Sequence, residues 1–221
     1  RHIAFAQRFG ELEIHPVTPK DQEHREIFVI PAGGKFKAPG VWHSDVTWRP
    51  EPSLGSILRA VELPPLGGDT LWADMGLAYD LLDDRTKAQI DGMVALHDFT
   101  RAFGAGRPPE EQARMRERYP TVEHPVVRTH PETGRRTLYV NPSFTTTIKD
   151  LDEGEAFLLL DRLERQSTVP DVQVRFRWEP GSVAFWDNRA TQHHALFDYF
   201  PHRRYGHRVT VCGDKPFYRA A

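Results

Sequence analysis

The chain has 221 residues, of which 39% are apolar and 27% are charged, and its formal net charge is −2. This length and composition are ordinary for one globular domain with a full-sized hydrophobic core. The near-neutral charge argues against a nucleic-acid-binding surface, and no apolar run is long enough to cross a bilayer. The single cysteine, Cys212, excludes an internal disulfide or a cysteine-based zinc cluster. A reducing, cytoplasmic location is therefore expected, with Cys212 as a small buried hydrophobe on a strand.

Most of the chain shows the pattern of short strands. These segments are rich in β-branched and aromatic residues and are bounded by proline and glycine turns. The predicted strands are residues 26–30, 56–62, 70–73, 125–129, 137–140, 172–178, 182–186 and 206–212. The turn that precedes the strand at 70–73 contains Gly67 and Gly68.

Three segments show a helical pattern instead. Residues 76–93 carry leucine and isoleucine at roughly helical spacing, and residues 108–118 open with prolines followed by glutamates. Residues 152–166 have an apolar stripe, with acidic residues early and arginines late, which matches the helix dipole. The absence of regular strand–helix alternation argues against a doubly wound α/β sheet.

These elements predict a mainly β fold with inserted helices, namely a double-stranded β-helix, or cupin-like jelly roll. A single domain spanning residues 1–221 is expected, with an insertion at about residues 76–118. Residues 77–112 of that insertion form either a mobile lid or a plain surface loop. Phe99, Phe103, Gly104 and Gly106 would be its mobile part.

The most informative short motif is His43-Ser44-Asp45. Successive side chains of a strand point to opposite faces, so His43 and Asp45 share one face while Ser44 points away. Their donor atoms can then converge on one metal ion. Two surface polar residues on an edge strand are the alternative interpretation of so short a pattern.

A second histidine would complete the set of two histidines and one carboxylate that is typical of non-heme iron(II) oxygenases. The candidate is His193, which follows the apolar predicted strand at residues 182–186. His194 would face the other way along an extended chain, and periodicity does not choose between the two.

Two arginines near the end of the chain are candidate anion ligands. On a strand, Arg204 and Arg208 lie on one face, with Gly206 between them leaving room for a ligand to approach the backbone. Guanidinium groups bind carboxylate or sulfonate oxygens with a two-pronged geometry. A solvated basic loop, or pairing with Asp198 and Asp214, is the alternative.

These residues belong to a wider pattern. The chain resembles the taurine dioxygenase/TfdA-like family of 2-oxoglutarate oxygenases along essentially its whole length. Several long motifs in the same order carry the resemblance. They are FGELEIHP (9–16), WHSDVT (42–47), GGDTLW (67–72), HPVVR (124–128), FTT (144–146), WDNRATQH (186–193) and GDKPFYR (213–219). The family normally has several dozen residues before the point where this chain starts.

The resemblance implies an iron(II)- and 2-oxoglutarate-dependent dioxygenase that consumes dioxygen. His43, Asp45 and His193 match the family's iron ligands, so the resemblance selects His193 over His194. Its implied reaction hydroxylates the carbon next to the sulfonate of taurine or a similar sulfonate, releasing sulfite, succinate and carbon dioxide.

The resemblance also implies how 2-oxoglutarate is held. Arg204 matches the arginine that binds its distal carboxylate, and Thr70 matches the hydroxyl that shares that carboxylate. Trp186 matches an aromatic residue near the same pocket.

For the substrate, Arg208 matches the arginine that binds the sulfonate, His15 matches a histidine that assists it, and Phe144 matches an aromatic wall. Two positions depart from the family's taurine-binding members, which have a tyrosine where this chain has Thr18 and an asparagine where it has Pro39. The same chemistry on an alkyl sulfate ester or another small organic anion is therefore an alternative.

A non-catalytic cupin-like binding module is a third interpretation, against which the complete ligand set argues. The expected partner is a small anionic substrate, with no nucleic acid and no membrane. A homo-oligomer, a dimer or a tetramer, fits the resemblance.

Overall fold

A computed structural model gives the fold and describes residues 1–15, 18–19, 21–30 and 40–220. The strands are β1 (Ile27–Ile30), β2 (Gly55–Glu62), β3 (Thr70–Asp74), β4 (Val94–His97), β5 (Val122–Pro125), β6 (Val127–Thr129), β7 (Arg136–Leu138), β8 (Thr145–Ile148), β9 (Gln173–Phe176), β10 (Val183–Asp187), β11 (Thr191–Ala195) and β12 (Tyr205–Val211). The helices are α1 (His2–Ala6), α2 (Met75–Asp80), α3 (Asp84–Ile90), α4 (Phe99–Phe103), α5 (Pro109–Arg118) and α6 (Glu153–Glu164), with short 3₁₀ turns at Arg165–Thr168 and Pro170–Val172.

Two antiparallel sheets form the centre of the fold. One has the strand order β1-β12-β2-β10 and the other β11-β3-β9, so strands distant in sequence are neighbours in both. Smaller sheets, β5-β4-β8 and β6-β7, lie beside them. This arrangement confirms the mainly β, double-sheet fold with inserted helices that the sequence predicts.

Strand β2 anchors the first sheet because it pairs with β12 on one side and with β10 on the other. Its first four residues are buried, and its register sets Arg208 of β12 opposite Leu58. The hydrogen bonds between β12 and β2 therefore fix the position of Arg208, which the sequence alone does not determine.

The helices cover one side of this β framework. Residues of α2, α3 and α6 form a buried cluster with strands β4, β6 and β8, including Ile90 and Leu163, which are fully buried. The helix predicted over residues 76–93 is in fact two helices. The chain breaks at residues 81–83 because the Asp83 carboxylate accepts a hydrogen bond from the Thr86 N–H and caps a new helix.

Two local expectations fail for identifiable reasons. The strand predicted at residues 125–129 is interrupted at Val126, whose N–H bonds to the Met93 carbonyl. Cys212 is exposed because β12 ends at Val211. For Gly206, a Cβ would lie 3.0 Å from Leu58 Cδ1, so this glycine makes room for strand β2.

No helix among the described residues is long and apolar enough to span a membrane.

Candidate active site

His43, Asp45 and His193 converge between the two sheets. One potential ligand atom from each lies within 4.8 Å of the others, the only such cluster of His, Cys, Asp or Glu found among the described residues. His43 Nε2 is 3.8 Å from Asp45 Oδ1, and the rings of His43 and His193 are 4.2 Å apart. Two imidazoles and a carboxylate that converge from one side suit a ferrous ion.

Backbone pairing brings these distant residues together. His43 and His193 exchange two backbone hydrogen bonds, of 3.1 and 2.8 Å, in an isolated bridge. His193 lies on β11, which pairs with β3, whereas the ring of the neighbouring His194 packs against Trp42 at 5.4 Å. The structure therefore brings His193, and not His194, to the cluster.

The segment that carries Asp45 is not the strand that the sequence predicts. Only His43 is in a bridge, and Asp45 begins a turn. Ser44 does point away, since its hydroxyl donates to the Thr191 carbonyl over 2.8 Å. Val46 adopts a left-handed conformation with φ of 50°, which is strained for a β-branched residue. This bend turns the chain sharply immediately after Asp45.

Two of the three residues are held in the protonation state that metal binding requires. Burial, together with the nearby His43, lowers the pKa of His193 to about 3. Burial by itself would raise the pKa of Asp45, but Arg208 and the two histidines outweigh it and hold this pKa below its usual range. His43 Nδ1 lies 2.8 Å from the Val41 carbonyl and donates to it, which leaves Nε2 as the ring nitrogen on the side of Asp45.

Arg208 lies directly beside this cluster. Its Nη1 donates to both oxygens of Asp45, over 3.1 and 3.0 Å, while its buried Nε has no partner among the described residues. The predicted pairing of the arginines with Asp198 and Asp214 is not found, because Asp214 binds Arg128 and Asp198 accepts from the Gly68 N–H. An anion held by Arg208 would sit next to the metal position.

His15 lies close to Arg208 across the ring of Phe28. The His15 and Phe28 rings are 4.6 Å apart, and the Arg208 guanidinium carbon is 5.3 Å from the Phe28 ring centre. Burial, reinforced by the charges of Arg208 and Arg49, lowers the pKa of His15 to about 4. Burial and these two positive charges therefore keep His15 uncharged at neutral pH.

Arg204 and Thr70 form a second anion site. Arg204 Nη2 donates to the Thr70 hydroxyl over 3.4 Å, and the Trp178 indole N–H donates to the same oxygen over 3.0 Å. Because this oxygen already accepts two hydrogen bonds, its own proton is free to go to an incoming carboxylate. Arg204 Nε is buried with no partner among the described residues, so it can donate to a bound anion.

Gly68 makes room for this arginine. Its φ is +74°, and a Cβ there would lie 2.8 Å from Arg204 Cδ. The predicted Gly67-Gly68 turn therefore has two causes, the left-handed backbone and the close approach of Arg204.

Phe144 is buried and forms an aromatic wall beside the cluster. Its ring is 6.5 Å from that of His43 and 6.1 Å from that of Phe103, which stacks on Phe99 at 4.5 Å. Trp186 approaches His193 at 5.0 Å from the opposite sheet.

Of the two positions that depart from the resembled family, Thr18 is buried, and its hydroxyl has no partner among the described residues. Its N–H donates to the His15 carbonyl over 2.9 Å, so it is close to the predicted substrate site. Pro39 lies outside the described residues.

Sequence reasoning missed the residues that support Asp45. The Ser56 hydroxyl donates to Asp45 Oδ2 over 3.3 Å, and the Asn188 amide binds both backbone groups of Asp45. Only its position inside the WDNRATQH motif could have indicated a role for Asn188. Nothing in the sequence indicated a role for Ser56, because its contact with Asp45 depends on the register of β2.

Comparisons with known proteins agree with this geometry. The family model described as "Taurine catabolism dioxygenase TauD, TfdA family" matches residues 1–210. An alpha-ketoglutarate-dependent sulfate ester dioxygenase of Pseudomonas putida is 36% identical over 220 residues, which cover 96% of this chain and 72% of that protein.

Solved structures extend the likeness to the whole described fold. A taurine dioxygenase from Burkholderia xenovorans is 42% identical with a TM-score of 0.82, covering 97% of this chain and 72% of that one. The enzyme AAD-2, in complex with Mn(II) and N-oxalylglycine, is 31% identical with a TM-score of 0.81, covering 98% and 79%. These matches confirm the jelly-roll fold.

Proposed function

The chain belongs to the TauD/TfdA family of taurine catabolism dioxygenases, and from that premise we propose that it oxidises a small sulfonate such as taurine. Dioxygenases of this kind use iron(II), 2-oxoglutarate and dioxygen. The observation that carries the proposal is the cluster of His43, Asp45 and His193, with the Arg208 guanidinium 3.0 Å from Asp45. It supports the proposal because an anion bound by Arg208 would lie immediately beside the metal position.

The two arginines, Arg204 and Arg208, bind different anions. Arg204 and Thr70 hold the far carboxylate of 2-oxoglutarate, and Arg208 with neutral His15 holds the sulfonate. When bound, iron(II) supplies the activation of dioxygen, which is coupled to conversion of 2-oxoglutarate into succinate and carbon dioxide. The protein's own part is to bind, orient and exclude water.

Product release follows from the position of the new hydroxyl. Hydroxylation next to the sulfonate places oxygen and sulfur on one carbon. The carbon–sulfur bond then breaks with its electron pair leaving on sulfite, the hydroxyl loses its proton, and an aldehyde remains.

A sulfate ester is the second candidate substrate. Thr18 presents a short, buried side chain near His15, and Phe144, with Phe103 6.1 Å away, presents an apolar ring 6.5 Å from that of His43. These side chains suit an apolar tail better than an ammonium group. Hydroxylation of the ester-bearing carbon would break a carbon–oxygen bond and release sulfate with an aldehyde.

Product analysis tests the proposal and separates the two candidates. Purified protein is supplied with iron(II), ascorbate, 2-oxoglutarate and either taurine or an alkyl sulfate, and succinate, sulfite and sulfate are measured. The sulfonate proposal expects sulfite equal to succinate with taurine. Sulfate release from the ester, with no sulfite from taurine, would select the second candidate, and no substrate-dependent succinate with either would reject both.

We further propose a cytoplasmic location and a homodimer or homotetramer. The exposed, unpaired Cys212 is compatible with a reducing compartment. Light scattering on the purified protein gives the oligomeric state directly, and a monomer at working concentration would contradict that part of the proposal.

A further inference from the structure

Asn188 makes an unusual set of contacts with the metal-ligand segment. Its Oδ1 accepts from the Asp45 N–H over 2.6 Å, and its Nδ2 donates to the Asp45 carbonyl over 2.9 Å. The side-chain amide thus pairs with Asp45 as a neighbouring strand would. Nδ2 also lies 3.2 Å from both the carbonyl and the hydroxyl of Ser53.

These partners leave only one orientation for the amide. A flipped Asn188 would set its oxygen against the carbonyls of Asp45 and Ser53, and its NH₂ against the Asp45 N–H. Asn188 is fully buried, and its own N–H donates to the Leu54 carbonyl over 2.8 Å. Both ends of the residue are therefore fixed, so it can act as a rigid support.

The support is needed because the backbone next to it is strained. Val46 holds a φ of 50°, a conformation that a β-branched residue keeps only when its surroundings impose it. Asn188 holds the residue before it, and His124 Nε2 holds the chain after it by donating to the carbonyls of Thr47 (2.8 Å) and Arg49 (3.0 Å).

Asn188 also connects the two parts of the chain that carry the ligands. It stands five positions before His193, whose backbone exchanges two hydrogen bonds with His43. The segments of residues 43–45 and 188–193 are thus fastened at two points, His43 to His193 and Asp45 to Asn188. Loss of the second would leave the backbone of Asp45 without this anchor, with only its carboxylate held, by Arg208 and Ser56.

We propose that Asn188 is a positioning residue that presets the Asp45 carboxylate for metal binding by clamping both backbone polar groups of Asp45. The inference rests on the proposed metal chemistry of the same site. Partners that orient metal ligands typically contribute about 10–100-fold in metal affinity. The contribution of Asn188 is therefore measurable without turnover.

The test compares Mn(II) affinity, measured by electron paramagnetic resonance, in wild-type protein, Asn188→Ala and Asn188→Asp. Asn188→Asp keeps the side-chain volume and loses the Nδ2 donors. The matched control is Asn141→Ala. Asn141 is equally buried and its amide contacts the same turn at Thr47 Oγ1, besides Ser143 N and Phe144 N, but it does not touch Asp45, so the control isolates the Asp45 contacts. Amide hydrogen exchange at Asp45 in the metal-free protein is the second measurement.

We expect both Asn188 variants to raise the Mn(II) dissociation constant at least about tenfold and to speed exchange at Asp45, with Asn141→Ala within about twofold of wild type. Wild-type affinity in the Asn188 variants, or an equal rise in Asn141→Ala, would overturn the inference alone. A wild-type protein that binds no Mn(II) would overturn the proposed function as well.

If the Asn188 variants do not fold, Ser53→Ala provides a milder test, because it removes only the hydroxyl beside Asn188 Nδ2. Its Mn(II) dissociation constant is then expected to rise about threefold, and an unchanged constant would contradict the clamp.

Discussion

Arg204 is a buried cation that forms no salt bridge with a carboxylate among the described residues, although the charge of Asp69 acts on it from farther away. It lies over the Trp178 ring at 5.4 Å and contacts the Thr70 hydroxyl, and burial lowers its pKa from the usual value. A guanidinium in such a place is costly until an anion joins it. We therefore expect an anionic group of the co-substrate to bind Arg204, as the proposed role requires.

Replacing Arg204 with lysine should raise the KM for 2-oxoglutarate at least about tenfold, because a compact ammonium replaces a planar fork. The KM for the sulfonate should change far less. Steady-state kinetics with each substrate varied in turn measures both constants. Arg208→Lys is the matched control and should show the reverse order, so equal weakening of both constants in Arg204→Lys would show that the arginine roles are misassigned.

For individual residues, the sequence predicts which residues form the site better than it predicts the contacts between them. The motif around His43 and Asp45 indicates a metal site, but the choice of His193 over His194 comes from the resemblance, and pairing of β11 with β3 shows its physical basis. The contact of Arg208 with Asp45 joins residues 163 positions apart. No local pattern encodes such a contact, because it depends on how the sheets meet.

Among the elements, the turn after Asp45 depends on buried histidines. His124 donates to the carbonyls of Thr47 and Arg49, and its ring packs 5.0 Å from that of His97, whose Nδ1 lies 3.0 Å from Thr47 Oγ1. Burial lowers the pKa of His124 to about 4, although its backbone hydrogen bonds raise it. Between about pH 4 and pH 6.5, His124 thus stays neutral in the folded protein, whereas it is protonated in the unfolded chain.

This depressed pKa makes stability fall as the pH falls. Below the unfolded value of 6.5 the unfolded chain takes up a proton that folded His124 refuses until about pH 4. The resulting loss between pH 7 and pH 5 is about 2 kcal/mol. In His124→Gln this part of the loss should disappear, as measured by urea unfolding of metal-free protein at the two pH values. Identical pH dependence in the two proteins would contradict the assignment.

The elements that the sequence missed have polar or short patterns. Strand β11 (Thr191–Ala195) contains Gln192 and two histidines, and β8 (Thr145–Ile148) has three threonines, so neither shows apolar alternation. They are strands because partners in the sheets satisfy their backbones. By contrast, α6 carries its own signals, the Asp152 cap and an apolar stripe, and forms where predicted.

Over the whole molecule, the site lies between two sheets and beside the predicted insertion at residues 76–118. That stretch is not one loop, because β4 within it pairs with β5 and β8. Its α4 brings Phe99 and Phe103 towards Phe144, whereas Gly106 is in open space with φ of +75°. A lid over residues 77–112 within a single domain remains a prediction.

If this segment shields the reaction, Phe103→Ala should lower the amount of sulfite formed per succinate below one, because solvent reaches the oxidant. Phe157→Ala is a suitable control, since Phe157 is an exposed phenylalanine on α6, and should leave the ratio unchanged. A ratio of one in Phe103→Ala would favour the plain surface loop.

The central claim, that three side chains hold one ferrous ion, is tested most directly by anaerobic iron(II) titration of wild-type protein and alanine variants. Wild type is expected to bind a single iron(II) per chain in the presence of 2-oxoglutarate, and His43→Ala, Asp45→Ala and His193→Ala to lose that binding. His194→Ala, changed at the adjacent residue that packs on Trp42, should keep it. Retained binding in His193→Ala together with its loss in His194→Ala would contradict the site.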